Sequence, residues 1–200
     1  MPKVSQEYRD ARREQILNAA RRCFLRDGFH ETSMQDLFAE AGLSSGAVYR
    51  YFPGKEDVIL AIAEENMRDV VEMIHLAAPA QPGRSAGAAV ADILEIVRVK
   101  EMDNGLAGLA LLAWAEAQRN PSLAARFKEL LRQMRDDLTE VVREQQGSGN
   151  LPGDVPAETL ATVLMSLVPG YILQLAVLGP AAVDGVPEAI RALWPRAADA

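Results

Sequence analysis

The chain has 200 residues, 49% of them hydrophobic and 24% charged, which fits a globular protein of one domain or two small ones and excludes a disordered or fibrous chain. A net charge of -7 and a pI near 5.0 exclude a polybasic nucleic-acid binder, but the charge is unevenly spread. Nine basic and nine acidic residues precede Val58, whereas twelve basic and nineteen acidic residues lie from Val58 onward. The excess of negative charge belongs to the second segment, and the first is free to form a local basic face.

A single cysteine, Cys23, excludes an intramolecular disulfide, and His30 and His75 are too far apart in the chain for a Cys/His metal cluster, so neither metal nor cofactor is expected. The first fifteen residues are polar and charged without an apolar stretch, which argues against a signal or transit peptide and for a cytoplasmic protein.

Alternating strand patterns are missing and helical spacing recurs throughout, so an all-α protein is expected. Over residues 9–27, Ile16, Ala20, Cys23 and Phe24 follow a roughly 3.6-residue repeat and Gly28 supplies a stop; Cys23 on that face reads as a small core residue. Thr32 or Ser33 caps a short helix in which Met34, Leu37, Phe38 and Ala41 recur at helical spacing, and Gly42 ends it in a left-handed turn. Leu43 is the apolar residue of that turn. Ser44 or Ser45 caps a second short helix with Val48 and Phe52 pointing inward, and Pro53 and Gly54 close it. Lys55 opens a long helix reaching about His75, with Glu56 and Asp57 where the helix dipole favours acids.

Further helices are expected over 86–101, 105–118, 122–146, 156–178 and 183–194, separated by Asn104-Gly105, Asn120-Pro121, Gly147-Ser148-Gly149 and Gly179-Pro180. The stretch from Leu160 to Leu178 is apolar enough to be weighed against a membrane span. It carries Thr162, Ser166, Pro169, Gly170 and Gln174 and has no Lys or Arg at either flank, which favours a buried helix or an oligomer interface.

Two short helices joined by a glycine turn behind a longer helix form a helix-turn-helix pattern. A helix that reads DNA must be thin-skinned near its N-terminus to enter a major groove about 12 Å wide, and Ser45, Gly46 and Ala47 meet that need. Tyr49, Arg50 and Tyr51 then supply donors for phosphates or, in Arg50, for a guanine edge, and Lys55 adds a cation at the next helix N-terminus. On spacing alone two readings stay open: a DNA reader, and a common packing unit of all-α proteins.

The run Ile16-Leu17, Ala19-Ala20, Phe24, Gly28-Phe29, Thr32-Ser33, Ala41-Gly42-Leu43-Ser44, Gly46, Tyr49, Tyr51-Phe52 and Lys55-Glu56 resembles the N-terminal DNA-binding domain of the tetracycline-repressor (TetR) family. The resemblance implies a three-helix head over 1–54 and a larger helical ligand-binding and dimerisation domain over 55–200. It implies a homodimeric, ligand-responsive transcription factor, expected to be a repressor released from a double-stranded, palindromic operator by a small effector, which aromatic and methionine pocket candidates suggest is mainly apolar. It places Thr32, Ser33, Tyr49, Tyr51 and Lys55 at phosphate-contacting positions and Ser45, Gly46, Ala47 and Arg50 in the base-reading helix. Phe38 departs from the family's usual alanine, and its extra volume bears on how the recognition helix docks.

Beyond residue 58 the likeness thins, although Trp114-Ala115-Glu116-Ala117 and Arg119-Asn120-Pro121 resemble a segment recurring in some of these domains. The apolar helix is similar to the family's penultimate helix, which pairs with the last across a two-fold axis; Leu164, Leu167, Tyr171, Leu175, Ile190 and Leu193 are the expected interface. Pro169 followed by Gly170 is expected to bend that helix. Met67, Val71, Ile74, Trp114, Phe127, Met134 and Tyr171 are the candidates for an effector pocket, each also serving as a core residue. The rival readings are an apolar-ligand carrier and a small-molecule enzyme, in both of which the first helices are only structural. The enzyme is disfavoured because His30, His75 and the adjacent Asp136 and Asp137 form no catalytic group.

Overall fold

The computed structural model describes residues 5–77 and 85–194. All regular structure among them is helical: α1 (Gln6–Asp27), α2 (Met34–Ala41), α3 (Ser45–Tyr49), α4 (Lys55–Ala77), α5 (Ala86–Asn104), α6 (Leu106–Ala117), α7 (Pro121–Gly147), α8 (Ala157–Leu178) and α9 (Val186–Leu193). The boundaries have local causes. Ser33 caps α2 in a capping box, accepting from the Asp36 N–H while the Asp36 carboxylate accepts from the Ser33 N–H. Gly42 ends the helix at φ 63°, a left-handed conformation that a side chain would strain. The last helix starts later than the spacing predicts, because Pro180–Val183 forms a 3-10 turn and Pro187 stands in the first turn of α9. In α8 the helix runs through Pro169 to Leu178.

The chain packs as two units. The first comprises residues up to Glu65 together with Gly108–Ala124, and the second comprises Asn66–Ala107 and Ala125 onward, so α4, α6 and α7 each contribute to both.

In the first unit α1 packs on α2, and α2 on α3. Ile16, Leu17, Ala20, Cys23 and Phe24 of α1 are buried, as are Leu37, Ala41, Val48, Phe52 and the start of α4 at Val58, Ile59 and Ile62. Each large apolar side chain so enclosed stabilises the fold by about 1.5 to 3 kcal/mol. Burial also pushes the Cys23 thiol above its ordinary value, keeping it protonated and inert. Arg21 is buried on the same helix, where its guanidinium donates to Glu14, to Asn18 and, at 2.5 Å, to Glu65 of α4. At Gly108 a Cβ would lie 3.1 Å from Leu25, so α6 approaches α1 closely there.

In the second unit α5 packs against α9 and α8. A Cβ on Gly87 would sit 2.8 Å from the carbonyls of Ile190 and Trp194, so only glycine admits the final helix at this distance. Ile93, Leu138, Val142, Ala157 and Ala161 form a core cluster, against which Leu164, Met165 and Val168 rest.

The faces of α8 correct part of the expected dimer surface. Tyr171 and Leu175 are buried within the chain, at 3% and 2% exposure. Helical geometry separates them from Leu173 and Val177, which stand outward and are at least half exposed; Leu178, on the side of Tyr171, is exposed at the end of the helix, and Val163 is nearly half exposed. Leu164, Leu167 and Ile190 are half-buried and Leu193 is exposed. By length and composition α8 could cross a membrane.

Candidate nucleic-acid interface

Only one turn of helix long, α3 is held by its underside. Val48 is fully buried and its carbonyl accepts from the N–H groups of Tyr51 and Phe52, so the chain turns at once toward α4. The upper side is open: Ser45, Gly46, Tyr49 and Arg50 are exposed and Ala47 is half-buried. Small residues at the start and donors at the end let this helix approach a grooved polyanion closely. Neither the Arg50 guanidinium nor the Tyr49 hydroxyl has a hydrogen-bond partner among the described residues. Tyr51 is half-buried, immediately after α3.

The neighbouring cations are mostly committed elsewhere. Arg22 and Arg26 pair with Glu40, whose carboxyl they hold below its usual range, and Arg21 is tied to Glu14 and Glu65. Charge is thus unevenly committed in this segment: α1 pairs Arg21, Arg22 and Arg26 with carboxylates, whereas Arg9, Arg12 and Arg13 touch only neutral groups and Arg50 has no partner among the described residues.

Two of the expected phosphate contacts are turned inward. Thr32 is 1% exposed, and its hydroxyl donates to the Gly28 carbonyl at 2.7 Å and lies 3.4 Å from that of Cys23. Buried itself and engaged with these carbonyls, that hydroxyl faces away from solvent. The Lys55 ammonium has three protons and three protein acceptors, the carbonyls of Phe29, His30 and Thr32 at 2.8, 3.1 and 3.0 Å. It also lies 4.7 Å from the centre of the Phe29 ring. A lysine at a helix N-terminus here serves as a staple across the 29–32 loop, because a chain leaving α1 at Gly28 exposes carbonyls that no helix satisfies. Ser33 remains exposed, and its hydroxyl donates to Asp36, holding that carboxyl below its usual range.

Sequence reasoning missed a buried carboxylate beside the same loop, one of whose oxygens has no hydrogen-bond partner among the described residues. Glu116, at the end of α6, is buried at 8% exposure, and its carboxylate approaches the His30 ring at 3.4 Å. Arg119 stands 3.2 Å from the same ring nitrogen. The available signal was a carboxylate inside the apolar stretch Leu109–Ala117, where a charge needs a partner.

Of the pocket candidates, Trp114 falls in the first unit, and Met67, Phe127, Met134 and Tyr171 fall in the second. Phe127 and Tyr171 are buried, and Met67, Trp114 and Met134 are half-buried. The side chains of Val71, Ile74 and His75 lie outside the described residues. The Tyr171 hydroxyl is buried without a partner among the described residues; burial pushes its pKa up, so it ionises less readily, with Glu95 adding to the effect and Arg98 opposing it.

Comparison with known proteins agrees with this arrangement of elements. The pattern described as "Bacterial regulatory proteins, tetR family" matches residues 16–62, and that of "BetI-type transcriptional repressor, C-terminal" matches residues 87–199. The HTH-type transcriptional repressor AcnR of Corynebacterium diphtheriae is 28% identical over 200 residues, covering 98% of this chain and 100% of its own. Among solved structures, Salmonella enterica GusR superposes with a TM-score of 0.75 at 24% identity, over 96% of this chain and 99% of its own. The regulator FadR from Bacillus subtilis, solved in complex with stearoyl-CoA, superposes with a TM-score of 0.70 at 19% identity, over 90% of this chain and 96% of its own.

Proposed function

The chain belongs to the TetR family of bacterial transcriptional regulators, with an N-terminal helix-turn-helix DNA-binding domain and a C-terminal helical domain, and from that premise we propose that it acts as a homodimeric, effector-released repressor. The observation that carries the DNA contact is the two-sidedness of α3, with Val48 in the core and Ser45, Gly46, Tyr49 and Arg50 open to a partner. Base reading falls to Ser45, Gly46, Ala47 and Arg50, and phosphate contact to Ser33, Tyr49 and Tyr51. Thr32 and Lys55 hold the loop that places α2.

Residues 1–54 are read as the DNA-binding domain and 55–200 as the ligand-binding and dimerisation domain. The outward pair Leu173 and Val177, with exposed Val163 and Leu178 elsewhere on α8 and Leu193 of α9, supports a two-fold interface, since exposed apolar side chains of this size are costly in water unless covered. Leu164 rests against the core cluster, and Leu167 and Ile190, both half-buried, complete the set of candidates. Such a dimer accounts for the apolar character of α8 in a cytoplasmic protein without a membrane. The effector is a small, mainly apolar molecule taken up in the second domain, with Met67, Phe127, Met134 and Tyr171 as the described candidates. The stearoyl-CoA held by the Bacillus subtilis FadR, a protein of the same fold, joins a long hydrocarbon tail to a large, charged coenzyme A group, and its tail supports that class.

Two recognition helices must stand about 34 to 36 Å apart, or a multiple of that, to enter successive major grooves on one face of DNA. An effector that shifts α4 changes this separation and releases the operator without touching DNA. Reciprocity then requires the operator to weaken effector binding by the same factor, commonly about 5- to 150-fold. The decisive experiment is selection of bound duplexes from a random pool by the full chain. Enrichment of a palindrome supports the reading; retention of no duplex overturns it and favours a ligand carrier.

A further inference from the structure

The ring of Phe38 lies 5.2 Å from that of Tyr49, centre to centre, at an interplanar angle of 70°. This edge-to-face contact is favoured by the quadrupoles of the two rings. Its two ends are unequal. Phe38 is half-buried, and its carbonyl accepts from the N–H groups of Gly42 and Leu43, so its backbone is fixed by the turn between α2 and α3. Tyr49 closes α3, is 50% exposed, and has no hydrogen-bond partner for its hydroxyl among the described residues. An exposed aromatic side chain at the end of a one-turn helix would otherwise sample several rotamers and lose that freedom on binding.

We propose that Phe38 is a positioning residue for DNA binding: its ring holds Tyr49 in one orientation before DNA arrives, so that the Tyr49 hydroxyl meets a phosphate without being ordered at that moment. This rests on the DNA-binding reading above and adds to it a residue that touches no DNA. It also gives a use to the bulk at position 38. The same ring that fills space between α2 and α3 fixes the outermost donor of the recognition helix, and a smaller residue would leave that donor free to swing.

The test is a double-mutant cycle on a duplex selected by the parent protein, with affinities measured at one fixed salt concentration. Tyr49→Phe removes the hydroxyl and should weaken the parent about tenfold, the range expected for one charge-assisted hydrogen bond. In a Phe38→Ala background the same change should cost less than about twofold, because the hydroxyl is no longer held in place. Phe38→Tyr keeps the ring edge and should restore the full cost. An equal loss from Tyr49→Phe in the parent and in Phe38→Ala overturns the proposal. Circular dichroism and thermal melting check that Phe38→Ala is folded; if it is not, Phe38→Leu, which keeps apolar volume without an aromatic edge, takes its place in the cycle. In the DNA-free protein, the Tyr49 ring resonances should shift when Phe38 is replaced, and unchanged resonances count against the contact itself. A parent that selects no duplex overturns the DNA-binding reading instead, an outcome separate from additivity in the cycle.

Discussion

The loop before α2 and the outer face of α8 invert the usual use of side chains in opposite senses. In the loop, polar groups that composition assigns to solvent or to a partner are consumed inside the protein: the Thr32 hydroxyl on Gly28 and the Lys55 ammonium on three carbonyls. On α8, Val163, Leu173, Val177 and Leu178, which composition assigns to a core, stand in solvent. Function is read from what each region leaves over. The first domain leaves polar groups on α3 facing outward and the second leaves exposed apolar side chains on α8, and these remainders support the contacts proposed above, with a polyanion and with a second copy of the chain respectively.

The largest effect is expected from crossing between the two faces of α8. Leu175→Arg places a charge among buried neighbours and should cost about 3 to 5 kcal/mol, reducing helical signal and melting temperature. Leu173→Glu combined with Val177→Glu should leave the helical signal near the parent's and yield monomers in light scattering. A dimer that survives the double substitution breaks the comparison on the body side.

Next in size is the staple. Lys55→Met removes the donor to three carbonyls and should lower stability by about 2 to 3 kcal/mol, read in urea unfolding, with little change in the salt dependence of DNA binding. Had the ammonium bound phosphate, the logarithmic salt slope would fall by about 0.9 per monomer, with stability nearly unchanged. Arg50→Ala addresses the opposite case, an uncommitted cation. Stability should stay within about 0.5 kcal/mol, while base preference in the selected operator relaxes by about 1 to 3 kcal/mol at one position. An unaltered preference profile removes Arg50 from the base-reading set.

The smallest expected effect concerns pH. Ser33 donates to Asp36 through both hydroxyl and backbone, so the carboxyl ionises more readily in the folded protein than in the unfolded chain. A depressed folded value means stabilisation that is present above the unfolded value, near 3.9, and lost as pH falls through the folded one. Asp36→Asn should therefore melt below the parent at neutral pH, and the gap should narrow under about pH 4. A gap constant from pH 7 to pH 3 would show that the capping box is not responsible.

Much of the architecture was legible from residue order because helix boundaries are local chemistry. Gly28, Gly42 and Gly105 stop helices, Ser33 begins one, and the apolar spacing of α1 and α2 marks their inner faces. The exposed start of α3 was legible for the same reason, since Ser45, Gly46 and Ala47 lack the bulk to be core and Val48 does not. The direction in which a polar side chain makes its hydrogen bonds was not legible. Lys55 lies 26 positions from Phe29 in sequence, and Glu116 lies far from His30, so nothing local announces that these groups meet. The outer face of α8 was hidden for a related reason: a helix apolar over most of its circumference carries no amphipathic signal, so Tyr171 and Leu175 could not be told from Leu173 and Val177 by spacing. Sequence by itself determined the helices, their ends and the family pattern, because each depends on neighbours in the chain. Only the tertiary structure decided which carbonyls Lys55 holds, which ring lies against Tyr49 and which side of α8 is left bare, because each depends on residues brought together by folding.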